Sequence, residues 1–411
     1  MAERLRQQCG CGRVSFALSN ALRNLGLPCA ERPGAQPSRE NPEAIAADLQ
    51  RAFSATTTRR RHLCPLDLAD DLPVLSFGLV RISSFTAEQL EGLFDTERLG
   101  RVYPGRSVDF ARLAQVQWLV LEEEVAIDPR PEARAIPIFF QRMDQDFGAF
   151  DPLARRYPEL VEEAVFCLLL APWEAWGTMT PVDWRGFHLP WVYTVDTDLA
   201  IQPAAPPDAA SLTFEPTIYH GQDGEDIEDE QPSVLQLDGD DLQGLAEGLA
   251  EAWRKLETAR ITDLFQTPIE HFMVRAHAST GIDELLAHMT VLEAALGEEA
   301  DHDRKLRPKP QRNLSATERM ARKVAGLLND PAAAQAYRDL FRIRSLFVHG
   351  RAGLTTISTD QKIMARRLAR RVANALLDCA SSSPPTRSVL LTQLLAHHLP
   401  CQPHSSIWAR F

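Results

Sequence analysis

The chain has 411 residues, a formal charge of −12, 45% hydrophobic residues and 24% charged ones, the composition of ordinary globular domains with room for two or three of them. Its acidity argues against a protein that coats nucleic acid indiscriminately. No apolar run approaches the ~18 residues of a membrane span; the longest candidate, Ala164–Pro172, is short and follows Glu162 and Glu163.

The N-terminus lacks the long apolar core of a secretory signal. Seven cysteines, an odd number without framework spacing, suit a reducing cytoplasm. Residues 1–61 read as a loosely ordered leader, since Pro, Gly and polar residues cluster from Pro33 to Pro42 and Thr56–Arg61 is polar throughout. Cys9, Cys11, Cys29 and Cys64 lack the paired knuckles of common zinc sites, and neither a metal site nor a cofactor is expected.

Residues 62–220 read as an α+β domain. Leu75–Ile82 alternates like a strand, and Thr86-x-x-Gln89 is a capping box opening a short helix. Gln117–Leu121 and Ala135–Phe140 are further short strands or buried runs. Tyr157–Leu170 is an amphipathic helix with Pro158 near its start. Trp173, Trp176, Trp184, Trp191 and Tyr193 follow within about twenty residues. Such a cluster stacks RNA bases or grips a partner when basic residues interleave, but only Arg185 does, so core packing is the expected use.

Pro203–Pro207 closes this part. Residues 221–241 read as an acidic linker in which Asp223, Glu225, Asp226, Glu228, Asp229 and Glu230 repel one another and stay solvated. Residues 242–380 are then almost wholly helical. Leu242–Leu256 is amphipathic, another helix begins at Ile269, and Asp283–Leu296 places Leu285, Met289, Leu292 and Leu296 on one face. Residues 297–313 form a basic loop, because Pro308 and Pro310 forbid a continuous helix. Ser315-x-x-Glu318 and Ser358-x-x-Gln361 open two later helices, the second running to about Cys379. Residues 381–411 form a tail with a short helix at Ser388–His398. The expected fold is thus an α+β N-terminal domain followed by an all-α antiparallel helical bundle.

Residues 301–371 hold 17 Lys/Arg against 6 Asp/Glu, a basic region inside an acidic chain and what phosphate binding requires. Arg366, Arg367, Arg370 and Arg371 either touch RNA or merely flank an amphipathic face. The most informative stretch is Phe341–Arg351. On a helical wheel Tyr337, Leu340, Phe341, Phe347 and Val348 form an apolar stripe, with Arg344 near its middle. A cation there needs a counter-charge, for which Glu293 and Asp283 are the candidates. Beside it Arg338, Arg342, Ser345 and His349 form a polar ridge that Arg351 extends, the pattern of an anion site. Gly350 suits the left-handed position after a helix and places His349 in the final turn, where a titratable imidazole beside fixed cations fits acid–base work on a phosphodiester.

Arg344-x4-His349 resembles the Arg-x4–6-His signature of HEPN domains, helical modules of many RNases. Three blocks in order resemble the Apea-like branch: Asp283–Leu296 ending in Leu292-Glu293-Ala294-Ala295-Leu296, the helix Glu318–Leu328, and Arg344-Ser345-Leu-Phe-Val-His349-Gly350. They cover roughly residues 245–380. The resemblance implies a HEPN-like bundle and a metal-independent endoribonuclease built as a homodimer, cleaving RNA to 2′,3′-cyclic phosphate ends. Arg344 would hold the phosphate, His349 would transfer protons, and Ser345 would support them. It also implies a setting of anti-phage defence in the cytoplasm. Many active members carry Asn or Asp where this chain has Ser345, which leaves two rivals: a non-catalytic RNA-binding or dimerisation module, and an interaction scaffold centred on the aromatic cluster.

Overall fold

The computed structural model describes residues 15–27, 41–135, 146, 148–178, 185–220, 226–237, 242, 244–350, 356–382 and 385–396. The chain divides into two compact units, one drawn from Met1–Leu75, Leu79–Asp151 and Leu189–Val234, the other from Ser76–Gly78, Pro152–His188 and Leu235–Phe411.

The first unit begins with α1 (Ser15–Asn24) and α2 (Pro42–Ser54), both inside the stretch expected to be loosely ordered. Helix α2 starts where Asn41 accepts the Glu43 amide at 3.0 Å and Pro42 fills the first turn. Ile45, Leu49 and Phe53 recur at helical spacing and pack with Ala17 and Ala21 of α1 and with Leu25 just after it. The Pro- and Gly-rich segment between the helices masked this short-range pattern.

Strand β1 (Thr57–Leu66) is followed by β2 (Leu75–Phe77), β3 (Val80–Ser83), α3 (Ala87–Leu93), α4 (Thr96–Val102), α5 (Phe110–Leu113), β4 (Gln117–Ala126), α6 (Pro131–Ala135) and β5 (Tyr193–Asp196). The single strand expected at Leu75–Ile82 is broken at Gly78, whose φ of +54° only glycine adopts cheaply. The candidate run Ala135–Phe140 begins on the last residue of α6, and its remainder lies outside the described residues. The sheet order is β2-β3-β4-β1-β5. Strand β1 pairs antiparallel with β4 from Thr57↔Ala126 to Leu66↔Gln117, and with β5 from Arg60↔Asp196 to Leu63↔Tyr193.

The two-residue period of these strands sorts the faces. Leu63, Trp118, Val120 and Tyr193 pack on Leu90, Phe94, Leu99 and Leu113. The opposite face carries a polar row in which His62 bonds Glu123 at 3.1 Å and Thr194 at 2.9 Å, and Arg60 bonds Asp196 at 2.9 Å. The Thr86/Gln89 capping box forms as its spacing indicates. Arg98, buried, donates to the carbonyls of Asp198 and Ile201 at 2.9 Å each, satisfying a loop that no ladder reaches.

Part of the expected acidic linker is a strand. Asp226–Pro232 forms β7, paired antiparallel with β6 (Phe214–His220) from Phe214↔Pro232 to His220↔Asp226. Alternation sends neighbouring acids to opposite faces, and Arg112 relieves repulsion by pairing with Glu230 while stacking 3.7 Å from the Phe214 ring centre.

The second unit contains α7 (Glu159–Leu169), α8 (Trp173–Trp176), α9 (Leu245–Ala259), α10 (Ile269–His277), α11 (Gly281–Leu296), α12 (Glu299–His302), α13 (Ala316–Leu328), α14 (Pro331–Val348), α15 (Thr359–Ser382) and α16 (Arg387–Leu395). Helix α7, read from sequence as part of the α+β domain, belongs here because it is apolar almost all round. Val161, Ala164, Val165, Phe166, Leu168 and Leu169 are all buried, which takes neighbours on several sides. Its Glu163 reaches Arg260 after α9 at 2.6 Å. The aromatic cluster serves two cores: Trp173 packs with Trp176 and Phe187 in this unit, Trp191 with Trp118 and Tyr193 with Phe94 in the other. Trp184 lies outside the described residues. Among the described residues no helix is long and apolar enough to cross a membrane.

Two of the four α15 arginines are removed from solvent. Arg366 and Arg370 are each 1% exposed, and Arg370 grips the buried Glu174 with Nη2 at 2.6 Å and Nε at 3.0 Å. Burial alone would push the Glu174 carboxyl up, but Arg370 and Arg366 overcome it and hold it below the usual range. Burial pushes the Arg366 guanidinium down to about 9.

Two buried histidines give this unit a pH dependence. His277 and His288 are 3% and 2% exposed. Burial, then Arg366 and Arg185, push His277 well below its ordinary value and His288 down to about 3. Both stay neutral in the fold while the unfolded chain protonates near 6.5. Their contribution is therefore fully present above pH ~6.5 and is lost as pH falls below it, toward about 3 for His288, by up to ~1.4 kcal/mol per pH unit for each ring. Denaturant titrations should show unfolding at pH 5 taking up about two protons through these rings, and H288L about one proton fewer. Identical uptake in wild type and H288L would refute this assignment.

Candidate functional site

Helix α14 carries the candidate residues. Asp330 caps it by accepting the Ala332 amide at 3.0 Å, with Pro331 in the first turn. Ala333, Ala334, Tyr337, Leu340 and Ile343 form its buried face. Burial then stops: Phe347 and Val348 are 46% and 58% exposed. The expected apolar stripe thus ends one turn early, and Arg344 is half-buried at its edge rather than in the core.

Arg344 donates from Nη1 to Glu293 Oε1 at 2.8 Å, each side chain about one-third exposed, and lies 5.7 Å from the Phe341 ring centre. Of the two candidate counter-charges, Glu293 is the partner. Asp283 is exposed in the first turn of α11, ten residues and ~15 Å of helix away from Glu293, and is not the counter-charge. At this exposure the pair is worth ~0.2–1 kcal/mol; its effect is to aim the guanidinium rather than to hold the fold.

His349 is the exposed C-cap of α14. Its amide donates to the Ser345 carbonyl at 3.1 Å, and Gly350, at φ +59°, returns its own to Phe347 at 3.1 Å. The left-handed glycine sits where its sequence position indicated. Ser345 supports His349 through its backbone oxygen, an interaction any residue type supplies.

The expected polar ridge is only partly continuous. Arg338 donates to Glu318 at 3.0 and 3.2 Å, and that contact leads the causes holding the Glu318 carboxyl below its usual range. Arg342 is exposed, with no ion pair among the described residues. Arg338, Arg342 and Ser345 line one depression of about 410 Å³ with Ser315 and Thr317. Arg344 lines another, of about 440 Å³, with Glu293, Tyr337 and Phe341. Five residues turn a helix by ~140° beyond a full circle, so Arg344 and His349 leave α14 on different sides. Arg351 lies outside the described residues.

Behind Arg344 stands a cluster that sequence patterns did not reveal. Asp301 accepts Arg319 Nε and Lys323 Nζ at 2.7 Å each, and Glu298 accepts the same two cations at 2.6 and 2.8 Å. Arg319, Lys323 and Asp301 are almost wholly buried. The cluster clamps α13 to α12 and its N-cap, just beyond the end of α11. Arg307 fixes the connecting segment by donating to the carbonyls of Ala300, Leu314 and Asp301 at 2.7–2.8 Å. The one available signal was Arg319 and Lys323 recurring at i, i+4, which reads equally as a solvated face.

The arrangement offers a pre-aimed guanidinium, an exposed imidazole about one turn further on, and a spare cation in Arg342. These are the parts needed to hold a phosphate and move a proton beside it. Compared with family models, curated proteins and solved structures, the chain finds no match.

Proposed function

We propose that the helical unit is a metal-independent endoribonuclease of HEPN type, acting in the cytoplasm as a homodimer whose two α14 ends meet across the RNA. Arg344 holds the scissile phosphate and stabilises the charge of the pentacoordinate transition state. The ribose 2′-oxygen attacks phosphorus as its proton passes to the His349 imidazole of one copy. The bond to the 5′-oxygen breaks as that imidazolium returns the proton to it, while Arg344 of the other copy holds the phosphate. The products are a 2′,3′-cyclic phosphate and a 5′-hydroxyl, and both proton transfers are supplied by side chains. The observation that carries this reading is the Glu293–Arg344 pair, which presents an aimed, half-open guanidinium on the helix whose end carries an exposed imidazole. The ~140° between the two side chains is the reason for invoking a second copy.

A second reading, a non-catalytic RNA-binding or dimerisation module, is favoured by the carboxylates already paired to Arg344 and Arg338, since a phosphate has to displace or share them. One experiment separates the two. Full-length protein is incubated with single-stranded RNA in EDTA, and the ends of any fragments are mapped. The nuclease reading expects fragments ending in 2′,3′-cyclic phosphate. Salt-sensitive binding without fragments would leave the module, and cleavage only with added divalent ions would overturn the mechanism.

A further inference from the structure

The other end of α14 carries a pocket that the proposed nuclease does not use. It occupies about 420 Å³ between the first turns of α14 and α15, eleven residues and ~17 Å of helix before Arg344. That size lies within the ~300–1,000 Å³ range of small-molecule sites. Ile363, Met364 and Leu368 supply an apolar wall, and Glu174, Asp330, Asp360, Arg367 and Arg371 line the polar side.

The charges there are unevenly satisfied. Glu174 is spent on Arg370 at 2.6 Å, and the buried Arg366 lies 3.9 Å from its second oxygen. Arg367 is left 3.8 Å from Glu174, 47% exposed, with no hydrogen bond among the described residues. Arg371 donates to Asp330 at 3.0 Å and keeps about a third of its surface. Four guanidiniums, two of them buried, stand against Glu174, Asp330 and the exposed Asp360, a balance of one positive charge, and Arg367 has no committed acceptor. Glu174 closes the inner side of the pocket, its Oε2 buried toward Arg366.

The geometry points to a binding site for a small amphipathic acid. A carboxylate or phosphate monoester would lie on Arg367 and Arg371, and an apolar body on Ile363, Met364 and Leu368. This assignment stands independently of RNA cleavage.

The test is calorimetric titration of the full-length chain with 2-hydroxyoctanoate as the carboxylate probe and adenosine 5′-monophosphate as the phosphate probe. One of the two saturates a single site with Kd below ~1 mM, and which one does so identifies the acid group. Arg367→Ala then weakens binding at least ~10-fold, equivalent to ~1.4 kcal/mol, Arg367→Lys recovers part of it, and Arg275→Ala, an exposed change elsewhere on the unit, leaves it unaltered. The Arg367 side chain is half in water, so its removal spares the fold. Absence of saturable binding by either probe, or equal affinity in Arg367→Ala, would overturn the site.

Discussion

Asp301→Ala should destabilise the helical unit by ~3–5 kcal/mol, the cost of leaving buried charges without their partner. A domain's whole stability is ~5–15 kcal/mol, so the variant is expected to melt near working temperature. The reason lies in what one carboxylate does. Asp301 accepts Arg319 and Lys323 at 2.7 Å each and also the Glu298 amide at 3.0 Å. Without it, two cations that are 1% and 0% exposed share only Glu298, the Leu296 carbonyl at 3.1 Å and Gln311 at 2.7 Å. Neither can reach water without opening the packing of α13 against α12. Asp301→Asn keeps acceptor geometry and loses charge, and should fall between wild type and Ala. Urea unfolding of the three proteins followed by circular dichroism decides it. A loss under 1 kcal/mol in Asp301→Ala would show that the network holds no part of the fold.

The legible features are local. Capping at Thr86, Ser315 and Ser358, the helix stop at Gly350 and the length of α11 all depend on residues within about a turn of each other, and these appear as the sequence indicates. What escaped depends on residues far apart in the chain. Helices α1 and α2 are stabilised by each other and by Ala200, so a polar, Pro-rich setting hid them. Acidic β7 exists because β6 and Arg112 are there to receive it. Arg319, Lys323, Arg366 and Arg370 carry the signature of solvated helix faces, yet each is buried against a carboxylate from another element. The same limit applied at the site. Glu293 stood with Asp283 as a candidate partner of Arg344 because a cation on an apolar stripe requires one. The early end of the α14 apolar face was not, since Phe347 and Val348 continue the pattern into solvent. A hydrophobic period states which side of a helix is available for burial, not how far its neighbours extend.

The proposed chemistry makes its largest demand on His349. If its imidazole moves both protons, His349→Ala should reduce cleavage ~10²–10⁴-fold. The fold should stay intact, because the side chain is exposed and only its backbone bonds Ser345. Arg344→Ala should cost ~10²–10³-fold through lost charge stabilisation, with a stability change under ~1 kcal/mol given its half-exposed partner. Glu293→Gln separates aiming from charge. It removes the carboxylate competing with phosphate, so RNA affinity should rise, while turnover falls because the guanidinium loses its strongest restraint. The decisive measurement mixes inactive copies. In one copy Arg344 and His349 leave the helix ~140° apart, so a working site draws one from each chain. Refolding Arg344→Ala together with His349→Ala should restore cleavage that neither variant shows alone, since mixed dimers hold one intact guanidinium opposite one intact imidazole. Failure to complement while both variants bind RNA and form mixed dimers would eliminate the two-copy site, and cleavage surviving in each variant alone would eliminate these residues as its catalysts.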